Sequence, residues 1–207
     1  MGKSYGEILN EINVSKSTLS IWLRDINLSV KQKNRIYKEI KQKNAYRLAK
    51  INQQKRVERT KKIIKKAKNE SKKMFDNPLF ITGLMLYWAE GDKSERNEIV
   101  KFTNSDPEMI RIMLLWFEKV CKVDKECFRI TLHIHNLFCK NYIEKYWSQI
   151  LKIPKKQFYK TQIKKSSLNQ RRNELYYGTC SIRINSRDLF RKLKGWKMGF
   201  IEKLMSS

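Results

Sequence analysis

The twelve residues from Pro78 to Ala89 contain no charge, in a protein where 32% of the residues carry one. Asn77 can cap a helix, and Pro78 suits the first helical turn, where its missing N–H leaves nothing unpaired. We therefore expect a helix that ends at Gly91 in a left-handed conformation. Because the stretch is apolar on every side, the pattern predicts burial all round, yet it falls short of the ~20 apolar residues that span a bilayer.

The first thirty residues show the apolar spacing of two short helices. Ile8, Leu9 and Ile12 share one face of the first helix, and Ser15 is a suitable cap for a second helix from Lys16 to Arg24. We expect the second helix to bury a face containing Leu19, Trp22 and Leu23. Two short helices joined by a tight turn are typical of a helix-turn-helix, which we assign to residues 1–30.

Small polar and basic residues at the start of this second helix suit base-edge and phosphate contacts in a major groove. The stretch also resembles helix-turn-helix modules of the resolvase and transcriptional-regulator type. A helical hairpin with a purely structural role is the alternative. The candidate DNA contacts are Lys16, Ser17, Thr18 and Ser20.

Residues 31–76 form a basic segment without glycine or proline, which predicts one or two long helices. Residues 31–74 carry 18 basic and 3 acidic side chains, a net charge of +15. A helical linker that tethers the protein along a DNA backbone fits this charge. A solvated spacer and a disordered arm that folds on binding remain open.

Residues 77–207 alternate helical and strand patterns, which predicts an α+β domain built on one mixed sheet. After the apolar helix, we expect strands at 99–103, 127–135, 157–164 and 178–185. Helices are expected from Pro107, around residues 142–150 and from Arg187. A polar, basic loop is expected from Lys164 to Asn173.

Strict alternation places apolar residues on one face of these strands, covered by helices, and polar or basic residues on the other. An open polar-basic face offers donors for phosphates and forked side chains for base edges. An ordinary solvated face is the alternative. The candidate DNA contacts on this face are Lys101, Thr103, Arg129, Thr131, His133, Lys160, Gln162, Lys164, Arg183 and Asn185.

The whole chain has a formal net charge of +26, and nucleic acid is the partner that such a charge most directly indicates. We expect no membrane association, because no strong amphipathic anchor and no signal peptide is recognisable. The four cysteines lack metal spacing and are interpreted as reduced thiols of a cytoplasmic, nucleoid-associated protein. His133 and His135 share a strand face, but no third zinc ligand stands at a telling spacing.

Glu90 is the unusual residue of the apolar helix. A carboxylate in the last turn faces the negative end of the helix dipole, which costs a few tenths of a kcal/mol. Asp92 follows two residues later, so the pair resembles a cation site. A helix end that simply reaches solvent is the other interpretation.

The residues Leu84 to Gly91, which read LMLYWAEG, resemble the motif helix of the LAGLIDADG family. Ala89, Glu90 and Gly91 match the end of that motif. Met85 stands where the family usually has a small residue, and Gly83 lies two positions early.

The resemblance implies that residues 77–207 form a LAGLIDADG-like DNA-binding domain with a saddle-shaped sheet. It also implies a homodimer, because a chain with one motif pairs its helix with that of a second copy and reads a roughly palindromic site. Glu90 would then hold a catalytic Mg²⁺, with Lys93 supplying positive charge nearby. We thus expect a metal-dependent endonuclease acting on double-stranded DNA; a non-cleaving transcriptional regulator on the same scaffold is the alternative, and RNA binding is a weaker third.

Overall fold

The computed structural model describes residues 2–135, 139–164 and 177–206. They divide into two compact units, Met1–Glu58 (unit 1) and Arg59–Ser207 (unit 2). Helices and a four-stranded sheet make the chain a mixed α+β protein, as predicted. Of the polar loop expected from Lys164 to Asn173, only Lys164 lies within the described residues.

The helices of the described residues lie close to their predicted positions. They are α1 (Tyr5–Leu9), α2 (Lys16–Trp22), α3 (Val30–Ser71), α4 (Pro78–Glu90), α5 (Pro107–Lys119), α6 (Lys140–Leu151) and α7 (Arg187–Met205), with two short 3-10 turns at Lys125–Cys127 and Lys155–Gln157.

Unit 1 contains α1, α2 and the first part of α3. The Ser15 hydroxyl accepts a hydrogen bond from the Thr18 N–H at 3.0 Å, which confirms the predicted cap of α2. Leu19 is 2% exposed, but Trp22 is 60% exposed, so the predicted burial of Trp22 is wrong. The helix is only seven residues long and ends at Trp22, and Leu19 is its one buried residue.

The long helix α3 is continuous, and the division between the two units falls within it. Its last turns pack closely on α7 inside unit 2. A Cβ added to Gly195 would lie 2.6 Å from the Ile64 carbonyl oxygen, and one added to Gly199 would lie 2.7 Å from that of Lys68. The two glycines, four residues apart, therefore allow the helix backbones to meet, and the end of α3 belongs to unit 2.

The sheet of unit 2 contains β1 (Val100–Asn104), β2 (Phe128–His135), β3 (Gln162–Lys164) and β4 (Thr179–Ile184) in the order β1-β4-β2-β3. The pairs β1–β4 and β4–β2 are antiparallel, and β2–β3 is parallel, so the sheet is mixed as predicted. Burial alternates strictly along β2, and α4 to α7 contribute to a hydrophobic core against one face.

The strand expected over residues 157–164 forms only at its end. Residues Lys155–Gln157 make a 3-10 turn instead, and the buried Gln157 side-chain amide donates to the carbonyl oxygens of Lys125 and Phe128 at 2.7 and 3.0 Å. These bonds hold the first half of the segment away from strand geometry. Lys160 consequently precedes β3 rather than lying within it.

Helix α4 has the predicted start at Asn77, whose side chain accepts from the Phe80 N–H at 3.1 Å, but it is not buried all round. Phe80, Gly83, Leu84 and Tyr87 are buried, whereas Trp88, Ala89 and Glu90 are exposed. Gly83 allows α4 to pack closely on α5 of the same chain, because a Cβ there would overlap the Trp116 indole. One side of this apolar helix therefore faces the core, and the opposite side is only partly covered.

Gly91 ends α4 as predicted, but with a φ of −72° it is extended and not left-handed. Glycine is required there for a different reason. A Cβ on Gly91 would overlap the Tyr87 carbonyl oxygen, which accepts the Gly91 N–H at 2.8 Å. The chain then runs beside β1, and the Asp92 N–H donates to the Lys101 carbonyl oxygen at 2.8 Å.

A buried ion pair holds the segment between α4 and β1 against α7. Arg191 donates from Nε and Nη2 to the two carboxylate oxygens of Glu98, both at 2.8 Å, and the side chains are 5% and 10% exposed. Glu98 has a φ of 48°, a left-handed conformation that non-glycine residues adopt only where the surroundings enforce it.

Candidate nucleic-acid interface

The sheet face that points away from the helices carries polar side chains from all four strands. We call it the polar sheet face. Because cross-strand partners point to the same side, the strand register assembles these residues into rows. Its members are Lys101, Thr103, Arg129, Thr131, His133, His135, Gln162, Lys164, Thr179, Ser181 and Arg183.

The first row consists of three cations. Lys101 of β1 pairs with Arg183 of β4, which pairs with Arg129 of β2. Strands lie about 4.8 Å apart, so the row spans about 10 Å across the sheet. The sequence predicted all three residues as contacts, and the fold brings them side by side.

The second row consists of three hydroxyl groups, of which Ser181 is fully buried and Thr103 and Thr131 are partly exposed. The Thr103 and Ser181 oxygens lie 2.7 Å apart and share a hydrogen bond. A third row joins Thr179, His133 and Gln162, and His135 pairs with Lys164 beyond it. Donors and acceptors thus follow the cations along the face.

Hydrogen bonds hold the two arginines of the first row in place. Arg129 donates from Nη1 to the carbonyl oxygens of Glu126 and Phe128 at 2.6 and 2.8 Å. Arg183 donates from Nε to the Asn185 side-chain oxygen at 2.8 Å, and its guanidinium carbon lies 5.9 Å from the centre of the Tyr159 ring. Both side chains are oriented before any ligand arrives, which reduces the entropy lost on binding.

No side chain among the members of the polar sheet face is acidic. The pKa of His133 is lowered from its ordinary 6.5, first by burial and then by the Lys101 and Lys164 ammonium groups. The part of this shift that comes from the two lysines reflects a positive potential on this face, which an anionic polymer would neutralise.

The candidate catalytic residues lie at the end of α4, beside the outer edge of β1. Glu90 is exposed, and no hydrogen bond or ion pair engages its carboxylate among the described residues. Lys93 donates to the Ala89 carbonyl oxygen at 3.1 Å and so caps the helix end. Asp92 is occupied locally, since its side chain accepts the Ser94 N–H at 2.8 Å.

In the part of the chain that the structure describes, no three His, Cys, Asp or Glu side chains come together as a metal site. Glu90 can nevertheless contribute one ligand to a Mg²⁺ held in the way this ion usually is. Magnesium takes one or two carboxylates and completes its shell with water and substrate phosphates. The exposed, unengaged carboxylate of Glu90 meets that requirement only with a bound phosphate or a second carboxylate.

An apolar stripe on the outward side of α4 remains partly uncovered. Ile81, Met85 and Ala89 lie at spacings of four residues, on the flank next to the buried Phe80 and Leu84. Ile81 and Met85 are half-buried and pack in part against the core, and Ala89 is exposed. A helix that is apolar on its outward side normally buries that side against another element.

The predicted contacts of the N-terminal region lie in unit 1. Lys16, Ser17 and Ser20 are exposed on α2, and Thr18 is partly exposed. The Ser15 oxygen lies 2.7 Å from both the Ser17 and the Thr18 hydroxyl groups. Two of the four candidate contacts therefore take part in the cap of their own helix.

Sequence reasoning left Thr179 and His135 out of the site, although the same alternation that selected Arg183 and His133 could have found them. Ser181 was left out as well, and it is fully buried. The contact of Arg183 with Tyr159 and the ion pair of Glu98 with Arg191 could not be predicted from neighbouring residues. The partners lie 24 residues apart in the first case and 93 in the second.

Comparisons of this chain with family models, with curated proteins and with solved structures find no match. Among the described residues, none of the helices has the length and apolar character required to cross a membrane.

Proposed function

We propose that this protein binds double-stranded DNA through the polar sheet face. The observation that carries the proposal is the row of Lys101, Arg183 and Arg129 beside a row of hydroxyl groups, on a face without acids. A major groove is about 12 Å wide, so a three-strand row of about 10 Å can enter it. Cations of the row would neutralise phosphates, while the partly exposed Thr103 and Thr131 hydroxyls, the Gln162 amide and the guanidinium groups would reach base edges.

A salt titration with a matched pair of double variants tests this proposal. Lys101→Gln/Arg183→Gln removes two cations of the polar sheet face, and Lys119→Gln/Lys145→Gln removes two from the helices on the other side. Each lost phosphate contact should reduce the slope of log K against log salt by about 1, so the first variant should lose about 2 and the second almost nothing. Equal slopes for both variants would contradict a DNA site on the sheet.

We propose further that the protein is a homodimeric endonuclease of LAGLIDADG type, because residues Leu84–Gly91 resemble the motif helix of that family. The unengaged Glu90 carboxylate at the exposed end of α4 supports this, together with the partly exposed stripe of Ile81, Met85 and Ala89. Two copies joined along the stripe would bring two Glu90 carboxylates to one symmetric site on the DNA.

In that assembly Glu90 and the DNA phosphates would hold Mg²⁺, which supplies a Lewis acid and an activated water for phosphodiester hydrolysis. Lys93 remains near the helix end and adds a positive charge beside the phosphates. The polar sheet face fixes the register of the duplex. A chain of this kind would act at the nucleoid.

A cleavage selection separates the nuclease from its alternative. The protein is incubated at low salt with a randomised duplex library, with Mg²⁺ or with EDTA, and bound molecules and new ends are sequenced. We expect new ends that require Mg²⁺ and vanish in Glu90→Gln, while Glu118→Gln, an acid in the last turn of α5, still cuts. Cleavage by Glu90→Gln would exclude the metal assignment.

A palindromic bound motif without new ends would favour the non-cleaving regulator. The exposed polar residues at the start of α2 in unit 1 support that alternative.

Sedimentation velocity tests the dimer itself. Met85→Glu places a charge in the partly exposed stripe and should shift a dimer to monomer, whereas Ile112→Glu on α5 should leave it unchanged. A wild-type chain that is monomeric on and off DNA would contradict the symmetric site.

A further inference from the structure

We infer that unit 2 carries a binding site for a small organic monoanion with a single apolar ring, between the end of α4 and the middle of α7. A cavity of about 120 Å³ lies there. Its floor is formed by Leu84, Tyr87, Phe190 and Leu193, which are all less than 10% exposed. The Trp88 ring stands at its mouth and is 37% exposed.

The volume limits the apolar part of the ligand. An engineered cavity of about 150 Å³ lined by aliphatic and aromatic side chains takes up benzene. A space of about 120 Å³ with an apolar floor therefore suits one six-membered ring or a branched chain of similar size. Long acyl chains do not fit.

The charged residues at the rim of the cavity determine which ligand charge is favoured. Lys93, Lys194 and Lys197 line the cavity together with Asp92 and Glu95. Glu95 forms an ion pair with Lys194, while Lys93 donates to a backbone carbonyl oxygen and Lys197 lies 5.9 Å from the centre of the Trp88 ring. Three cations against two acids leave the rim positive, so a ligand with one carboxylate or similar group neutralises it.

This site lies apart from the polar sheet face, although it shares Lys93 with the proposed catalytic end of α4. Its floor belongs to the hydrophobic core on the helix side of the sheet, and none of its lining residues is a member of the polar sheet face. Trp88 lines the cavity beside α7, seven residues after Ile81 on the same side of α4. The inference can hold or fail whether or not the protein cuts DNA.

Three probe molecules test the contributions of the ring and of the carboxylate separately. Phenylacetate has the ring and the carboxylate, benzylamine has the ring with a positive charge, and acetate has the carboxylate alone. Binding to the full-length chain is measured by isothermal titration calorimetry and by saturation-transfer NMR. We expect phenylacetate to bind with a dissociation constant of about 1 mM or lower, and the other two to bind at least about tenfold more weakly.

Two variants tie the binding to this cavity. Lys197→Glu reverses a rim charge and Trp88→Ala removes a wall, and each should weaken phenylacetate at least about fivefold. Lys145→Glu on α6 is the charge-matched control and should change nothing; circular dichroism verifies that every variant is folded. Equal binding of all three probes, absence of phenylacetate binding, or unchanged binding by both Lys197→Glu and Trp88→Ala would overturn the inference.

Discussion

The two units of this protein differ in how much apolar surface they bury. Within the described residues, unit 1 buries a single hydrophobic side chain, Leu19, whereas the hydrophobic core of unit 2 contains 27 buried residues. Unit 1 nevertheless is helical over most of its length. Local helix propensity and capping are thus sufficient to define secondary structure, but they do not produce a core.

The difference follows from composition. Residues 31–58 carry ten basic side chains and two acidic ones, and the apolar residues between them are too sparse to cover one another. Large apolar side chains of unit 1 are therefore exposed, and examples are Ile21, Trp22, Ile26, Val30, Tyr37, Tyr46 and Leu48. Since tertiary packing supplies most helical stability in proteins, we expect unit 1 to open far more readily than unit 2.

Hydrogen exchange on the full-length chain measures this difference most directly. Amides of α3 within residues 30–58 should exchange at least about 100-fold faster than amides of β2 and β4, because few buried contacts oppose local opening. Mass spectrometry of peptic fragments resolves the two regions. Comparable protection in both would show that unit 1 is stabilised by something other than its own packing.

A pair of tryptophan variants tests the same contrast at single residues. Trp116→Ala in unit 2 removes a fully buried side chain and should lower the free energy of unfolding by about 3–5 kcal/mol. Trp22→Ala in unit 1 removes one that is 60% exposed and should change it by less than about 0.5 kcal/mol. Urea titrations followed by circular dichroism give both values, and a large loss for Trp22→Ala would contradict the comparison.

Two ion pairs extend the contrast to charges. Arg191→Met removes the guanidinium that bonds both carboxylate oxygens of the buried Glu98 and should cost about 3–5 kcal/mol of stability. Lys3→Met breaks the exposed pair with Glu11 in unit 1 and should cost less than about 1 kcal/mol. The double variant Arg191→Met/Glu98→Met should recover part of the loss, since it leaves no buried charge; no recovery would point to lost packing instead.

The smallest expected effect is a pH dependence at His133. Burial, followed by Lys101 and Lys164, lowers its pKa below 6.5, so without DNA the folded state loses stability as pH falls below that value. DNA phosphates favour the charged imidazole, so binding should take up a proton and strengthen as pH falls from 7.5 to 5.5, by roughly threefold. Fluorescence anisotropy with His133→Gln should show a weaker dependence; an unchanged one would remove His133 from the interface.

Local signals predicted the parts of the fold that depend on neighbouring residues. The alternation in Phe128–His135 gave a strand with alternating burial, and Asn77 and Ser15 cap their helices as expected. The prediction of a strand over residues 157–164 was wrong for its first half, because the buried Gln157 donates to backbone carbonyl oxygens about 30 residues away. No local pattern contains these contacts.

For the candidate site, the sequence identified most of the polar side chains of the sheet from a period of two. It could not arrange them, because the order β1-β4-β2-β3 places Arg183 between Lys101 and Arg129 although it follows both in the chain. The row of cations is a product of topology.

The sequence by itself determined the helices, most of the strands, the excess of positive charge and the residue types available for binding, because each depends on composition or on spacing along the chain. Tertiary structure alone decided which side of α4 is covered, why Gly83 and Gly91 must be glycine, and that the end of α3 packs on α7. These features depend on close approach between segments far apart in the chain, and such contacts are settled by packing rather than by local pattern.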